Sequence, residues 1–183
     1  MNDRDVQLML AFQRGDPAAF DTLFQRYTPP LLGFLGRMLQ DNGRAEELAQ
    51  EVFVRIYQAK DRYEPRARFS TWMFGIAHRL ALNELARARH RFETRTAEPR
   101  ELDCADPAPD PGERIDAQRS GQALERALAT LPERQRAAIL LRSEGDMDYA
   151  QIAQALDTSV ASVKSLLHRA REGLLRALDE EKP

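Results

Sequence analysis

Trp72, the chain's one tryptophan, opens a stretch that ends in a basic cluster, "RFSTWMFGIAHRLALNELARARHR". Wound as a helix over 70–91, the segment brings Arg79, Asn83 and His90 within about 20° of Trp72, and Gly75 and Arg87 within about 60°. Met73, Ala77, Leu80, Ala81, Leu85 and Ala88 take the other side, widened by Phe74 and Leu82 and broken by Glu84. A stripe of one aromatic and several cations suits single-stranded nucleic acid. Opening a duplex costs about 1.4 kcal/mol per base-pair step, and stacking an exposed base on an aromatic ring returns about 1–3 kcal/mol. Basic neighbours follow the phosphates. The preceding loop, "YEPRARF" (Tyr63–Phe69, with Arg66, Arg68 and Phe69), is a candidate pocket for a base pulled from the stack. An equal reading has Trp72 folding under this loop as a small core.

A second set lies near the C-terminus. "YAQIAQALDTSVASVKSLLHRAREGLLRAL" reads as a short helix, a three-residue break at Asp157–Ser159 and a longer helix, the helix-turn-helix pattern. The second helix of such a motif enters the major groove with its N-terminal residues toward the bases. Here that end offers Ser159, Ala161, Ser162, Lys164 and Ser165, then His168, Arg169 and Arg171. Small side chains permit close approach, and cations meet phosphates or guanine edges. The competing reading is an ordinary helical hairpin with a polar face. A third set is "RAEELAQEVFVRIYQAKD", where Leu48, Val52 and Ile56 make one buried stripe. Glu47, Gln50, Glu51 and Arg55 lie mostly away from it, as a solvated acidic face or a docking surface.

The elements that must hold these residues are helical. The chain has 183 residues, 43% hydrophobic and 31% charged, with no alternating strand pattern and no internal repeat. The expectation is an all-α fold: two small helical domains, 1–92 and 117–183, joined by a flexible acidic linker over 93–116, the second a helix-turn-helix domain. The linker holds four of the ten prolines and a net charge of −5. The remainder carries +3 against a total of −2, so the local stripes favour phosphate more than the total suggests. In the first domain Asp16-Pro17 predicts a helix start, Pro29-Pro30 a stop after about Tyr27, and Leu31–Leu39 a second helix. Ser70 is the expected N-cap of the basic helix. In the second domain helices are expected over 115–129, 132–144, 149–156 and 160–179. Asp148 and Gln151 form a capping box there, and Ser159 an N-cap.

Several classes are disfavoured. One cysteine, Cys104, and three scattered histidines (78, 90, 168) give no metal cluster, no nucleophile–base pair and no phosphate loop, so neither catalytic residue nor cofactor is expected. Cys104 reads as incidental, with a redox handle as the alternative. "MNDRDVQLML" lacks a signal-peptide layout, and "LLGFLGRML" is too short to span a bilayer, so a cytoplasmic protein without membrane insertion is expected.

Taken together, "LPERQRAAILLR…YAQIAQALDTSVASVKSLLHRARE", "RAEELAQEVFVRIY" and "RFSTWMFGIAHRLALNELARARHR" resemble the extracytoplasmic-function sigma factors of bacterial RNA polymerase. The resemblance covers nearly the whole chain in the family's order. It implies a dissociable promoter-specificity subunit with core RNA polymerase and promoter DNA, duplex and melted, as partners. The first domain would bind polymerase and read and melt the minus-ten element through Arg66, Arg68, Phe69, Trp72, Arg79, Asn83 and Arg87. The second would hold the minus-thirty-five duplex through Ser162, Lys164, Ser165, His168, Arg169 and Arg171. Glu47, Gln50, Glu51 and Phe53 would contact polymerase, and an anti-sigma factor would hold the chain inactive. Arg79 stands where many members carry Asn, Asn83 where Asp is frequent, Leu166 where a basic residue is common, and Asp157 where Gly is. The alternative is a conventional helix-turn-helix regulator that binds duplex DNA without polymerase. It leaves the basic-aromatic helix and the acidic helix without a role.

Overall fold

Short carboxylate and hydroxyl side chains start most of the helices. Asp3, Asp16 and Asp41 accept the N–H groups of Asp5, Ala18 and Arg44 at 3.0, 3.0 and 2.9 Å. Asp148 and Gln151 close a reciprocal capping box, both bonds 2.8 Å, and Ser159 accepts the Ser162 N–H at 3.1 Å. The computed structural model describes residues 3–95 and 115–180, with backbone alone for 95, 115–120 and 180. Its first half holds α1 (Arg4–Gln13), α2 (Pro17–Leu39), α3 (Asn42–Gln58), a 3-10 turn (Lys60–Arg62) and α4 (Phe69–Arg95). Its second half holds α5 (Ile115–Thr130), α6 (Glu133–Ser143), α7 (Tyr149–Ala155) and α8 (Val160–Glu180). The described residues contain no strand. Most of the expected linker, Cys104 included, lies outside the described residues; 93–95 end α4 and 115–116 begin α5.

Pro29 and Pro30 do not stop a helix: α2 runs through both for 23 residues. An interior proline costs about 3 kcal/mol. Against that, Ala19 and Leu23 before the pair and Leu31, Phe34, Leu35 and Met38 after it lie on one helical stripe, all at most 3% exposed. Each large side chain buried contributes about 1.5–3 kcal/mol, so the continuous stripe outweighs the prolines. The carbonyls the prolines leave free belong to Gln25 and Arg26, both exposed. The basic helix also begins earlier than expected. The Trp72 N–H bonds the Arg68 carbonyl at 3.2 Å, so Ser70 lies inside α4 and does not cap it.

The two halves share one buried core, with α2 against α5 and α6 and α4 against α7. Where α4 crosses α7, a Cβ on Gly75 would sit 3.6 Å from the Ala155 carbonyl oxygen and 3.7 Å from its Cα, so a longer side chain there would push α7 off α4. Arg37 Nε bonds Glu125 at 2.8 Å and its Nη1 bonds Glu144, while Arg89 bonds Glu133 at 2.8 Å. Arg136, 8% exposed, donates to the carbonyls of Met38 at 3.0 Å, Ala129 at 2.6 Å and Leu131 at 3.1 Å. One buried guanidinium thus serves the C-terminal ends of α2 and α5, where carbonyls lack helical partners.

Candidate nucleic-acid interface

Of the α4 residues expected to anchor the helix, Met73, Phe74, Ala77, Leu80 and Ala81 are buried, Leu82 and Leu85 are half-buried, and Ala88 is exposed. Glu84, the break in that apolar side, is 4% exposed and paired with Arg44 at 2.8 Å and Arg91 at 2.9 Å, with Arg87 at 3.9 Å. The Arg44 hydrogen bond, with Arg91 behind it, holds the carboxyl below its ordinary range against the opposing effect of burial. Arg79, Asn83, Arg87 and His90 are exposed along the other side.

Trp72 is half-buried. Its ring packs on Tyr63 at 4.9 Å and on Phe69 at 6.0 Å, and it also lines a cavity of about 520 Å³. Arg62, Tyr63, Glu64 and Arg66 line it from the loop side, Thr71, Gly75 and Arg79 from α4, and Gln154 from α7. Trp72 thus packs over a small core, as one of its two readings has it, and also forms a wall of the pocket. The Tyr63 hydroxyl and the Thr71 hydroxyl are buried without a hydrogen-bond partner. Burial first, then the Asp3 charge, push the Tyr63 phenol up to about 12, so it stays a neutral donor and acceptor at neutral pH.

Of the expected minus-ten residues, Arg66, Trp72 and Arg79 meet at this cavity, while Asn83 and Arg87 lie further along α4 and Arg68 is exposed on the loop. Phe69 does not fit its expected role. It is fully buried, packed on Tyr27 at 5.2 Å as well as Trp72, because the loop's last residue is the first of α4 and points into the core. Sequence reasoning missed the two hydroxyls and Gln154. Tyr63 sat inside the loop already singled out; Gln154 reaches the rim from another domain, and no local pattern marks it.

In the helix-turn-helix, Val163, Leu167 and Ala170 are buried, whereas Lys164, Ser165, His168, Arg169 and Arg171 are exposed and Ser162 is half-buried. Asp157 takes φ 49°, the left-handed conformation that explains glycine's suitability at this turn; a short carboxamide or carboxylate side chain also tolerates it. On α3, Glu47, Gln50 and Glu51 are exposed, with Glu47 paired to Arg44 and Glu51 to Arg55 at 2.6 Å. Phe53 is a second correction: 5% exposed, it packs on Phe24 at 4.6 Å and Phe20 at 6.3 Å. The buried arc of α3 is broader than its period-four stripe, and the apolar groups left in solvent beside Phe53 are Phe24, Val54 and Tyr57.

Among the described residues no cluster of three or more His, Cys, Asp or Glu could hold a metal ion, and no helix is long and apolar enough to cross a membrane. Comparison with known proteins matches residues 23–91 to sigma-70 region 2 and residues 121–174 to sigma-70 region 4. The chain is 33% identical to the RNA polymerase sigma-H factor of Pseudomonas aeruginosa over 182 residues, covering 96% of this chain and 94% of that one. It is also 33% identical to the ECF RNA polymerase sigma factor RpoE of Cereibacter sphaeroides, covering 92% of each. Its fold is similar to that of CnrH, solved with the cytosolic domain of CnrY (TM-score 0.73, 24% identity, 98% and 100% of the two chains). It is similar too to sigma factor RpoE of Bartonella quintana, solved with the anti-sigma factor NepR (TM-score 0.70, 21% identity, 89% and 98%). Two matched regions in the family's order, and relatives of this identity spanning nearly the whole chain, establish that it belongs to the extracytoplasmic-function group of sigma-70 family RNA polymerase sigma factors.

Proposed function

We propose that residues 1–92 read and melt the minus-ten element while residues 117–183 hold the minus-thirty-five duplex, so that core RNA polymerase starts transcription at promoters carrying both. The observation that carries this reading is the cavity between α4 and the Tyr63–Phe69 loop. It sets an aromatic wall, Trp72, and a cation, Arg79, opposite the loop residues Tyr63, Glu64 and Arg66. A base drawn from the stack brings hydrogen-bonding edges and a π-face, the two things such a cavity can satisfy. Arg66, Arg68, Asn83 and Arg87 would guide the strand toward it. On α8, Lys164, Ser165, His168, Arg169 and Arg171, with Ser162 at their edge, would meet the duplex. The exposed Glu47, Gln50 and Glu51 of α3 would dock on polymerase. The chain supplies no catalytic step and works in the cytoplasm. An anti-sigma partner belongs to the same reading, supported by the Bartonella neighbour, which was solved with one.

Run-off transcription with core polymerase tests the whole. Initiation from a promoter library should depend on added chain, and initiation that ignores it sinks the proposal. Permanganate footprinting then tests the stripe. Trp72→Ala, Arg79→Ala and Asn83→Ala should each lower reactivity of minus-ten thymines, the first by about five- to a hundredfold if a full stack is lost. Unchanged opening in all three removes the stripe from the mechanism.

A further inference from the structure

We propose that Gln13 is a positioning residue for minus-ten reading, and that α1 acts through it on base discrimination; this rests on the pocket reading above. Gln13 ends α1, which lies ahead of the segment matching sigma-70 region 2. Its side-chain Nε2 lies 2.9 Å from the Lys60 carbonyl oxygen, 3.3 Å from that of Asp61 and 3.2 Å from that of Tyr63. A carboxamide has two N–H donors, so the three acceptors share them. The same three acceptors fix the amide's orientation, since its own oxygen would meet carbonyl oxygens if turned round.

These carbonyls belong to the 3-10 turn and to the first residue of the pocket loop. The turn has no side-chain cap, and beyond Tyr63 the loop's internal backbone bond is Arg66 N–H to the Glu64 carbonyl at 2.8 Å. The loop's far end is tied by α4, whose Trp72 N–H bonds Arg68. Its near end is tied across the chain by Gln13. The residue before Gln13 grips the same turn. The Phe12 ring, 4% exposed and stacked on Phe20 at 4.7 Å, lies 5.4 Å from the Lys60 ammonium, which is also 5.5 Å from the Tyr57 ring. Directly past the Gln13 contact stands Tyr63, which lines the cavity and whose ring packs on Trp72. Hydrogen-bond reading of a base edge works over a few tenths of an ångström. The amide that sets the Tyr63 backbone therefore sets, through the ring on which Trp72 packs, where the pocket wall meets the base.

The test uses the full chain with core polymerase. Gln13→Glu keeps the shape and replaces donors by acceptors; Gln13→Lys restores a donor. Opening rates are compared across promoters with single-base changes in the minus-ten element, alongside minus-thirty-five duplex affinity and melting temperature. Gln13→Glu should shrink the ratio between preferred and disfavoured bases at one position by about fivefold, with duplex affinity unchanged, and Gln13→Lys should recover most of it. A Gln13→Glu chain that discriminates as wild type, while Trp72→Ala or Arg79→Ala does not, overturns the role of Gln13 and leaves the pocket standing. A uniform loss on every promoter, accompanied by weaker duplex binding, overturns it as well, since that is loss of folded protein. Wild-type discrimination in Trp72→Ala and Arg79→Ala alike overturns the pocket reading and this inference with it.

Discussion

His78 is a charged-capable side chain kept neutral by its position. It is 6% exposed on α4, its Nε2 has no partner, and burial, then Arg134 and Arg79, lower its pKa to about 4. Arg134 comes from the second half, so the imidazole is held between cations of both. An unfolded chain takes up this proton near pH 6.5 and the folded one only near 4, so stability falls as pH drops through that window and is flat above it. By pH 5 the loss is about 2 kcal/mol, or roughly 4–8 °C in melting temperature for a chain of this size. Calorimetry between pH 7 and 5 should show that decline in wild type and little of it in His78→Leu. Parallel declines in both would place the titration elsewhere. Other residues at this scale divide by how local their signal is. Trp72 was legible as special because its neighbours at helical spacing are basic, yet spacing alone could not tell a wall from a core. Phe53 was misplaced because the family resemblance carried it over with the acidic face, whereas Phe20 and Phe24 of another helix cover it.

At the scale of elements, α8 is the part whose function follows most directly from its pattern. Val163, Leu167 and Ala170 seat it on its own domain, which leaves Lys164, His168, Arg169 and Arg171 turned outward together. Glu172 sits 3.5 Å from His168, so the cations least offset by a carboxylate on this face are Lys164, Arg169 and Arg171. Arg169→Ala should weaken binding to a minus-thirty-five duplex and lower the slope of log affinity against log salt by about 1, read by fluorescence anisotropy over a salt series. A slope equal to wild type would mean that Arg169 touches no phosphate. Capping residues made α7 and α8 readable, since Asp148, Gln151 and Ser159 act within three residues of themselves. The Pro29-Pro30 pair misled for the opposite reason. A proline's cost is local, while the burial that overrides it comes from α1, α3, α4 and α6, which no window of sequence contains.

For the whole molecule, the arrangement of the two halves decides what the pocket can admit. With α7 seated on Gly75, Gln154 stands at the rim of the cavity that Trp72 and Arg79 line. The ion pairs between the halves have one polarity: Arg37 and Arg89 come from the first half, and Glu125, Glu144 and Glu133 from the second. None of this pairing was visible in sequence, because each partner lies 44 or more positions from the other. The side chains of these pairs are a quarter or more exposed, and such bridges contribute about 0–1 kcal/mol each. These ion pairs are weak ties added to the shared buried core, and salt can loosen them, as the screening length falls from about 10 Å at 0.1 M to about 3 Å at 1 M. Arg37→Glu reverses two of the ties at once, placing a third carboxylate between Glu125 and Glu144. It should separate α7 from α4, raising the radius of gyration in X-ray scattering and red-shifting the emission of Trp72, the chain's one tryptophan. Wild type should move in the same direction in 1 M salt, by less. Gly75→Leu should open the same seam by bulk, independently of salt, because the new side chain enters the space held by Ala155. If scattering and emission stay at wild-type values in both variants, the seam is held by the shared apolar core and the Arg136 bond to Met38, and the ion pairs follow closure without sustaining it.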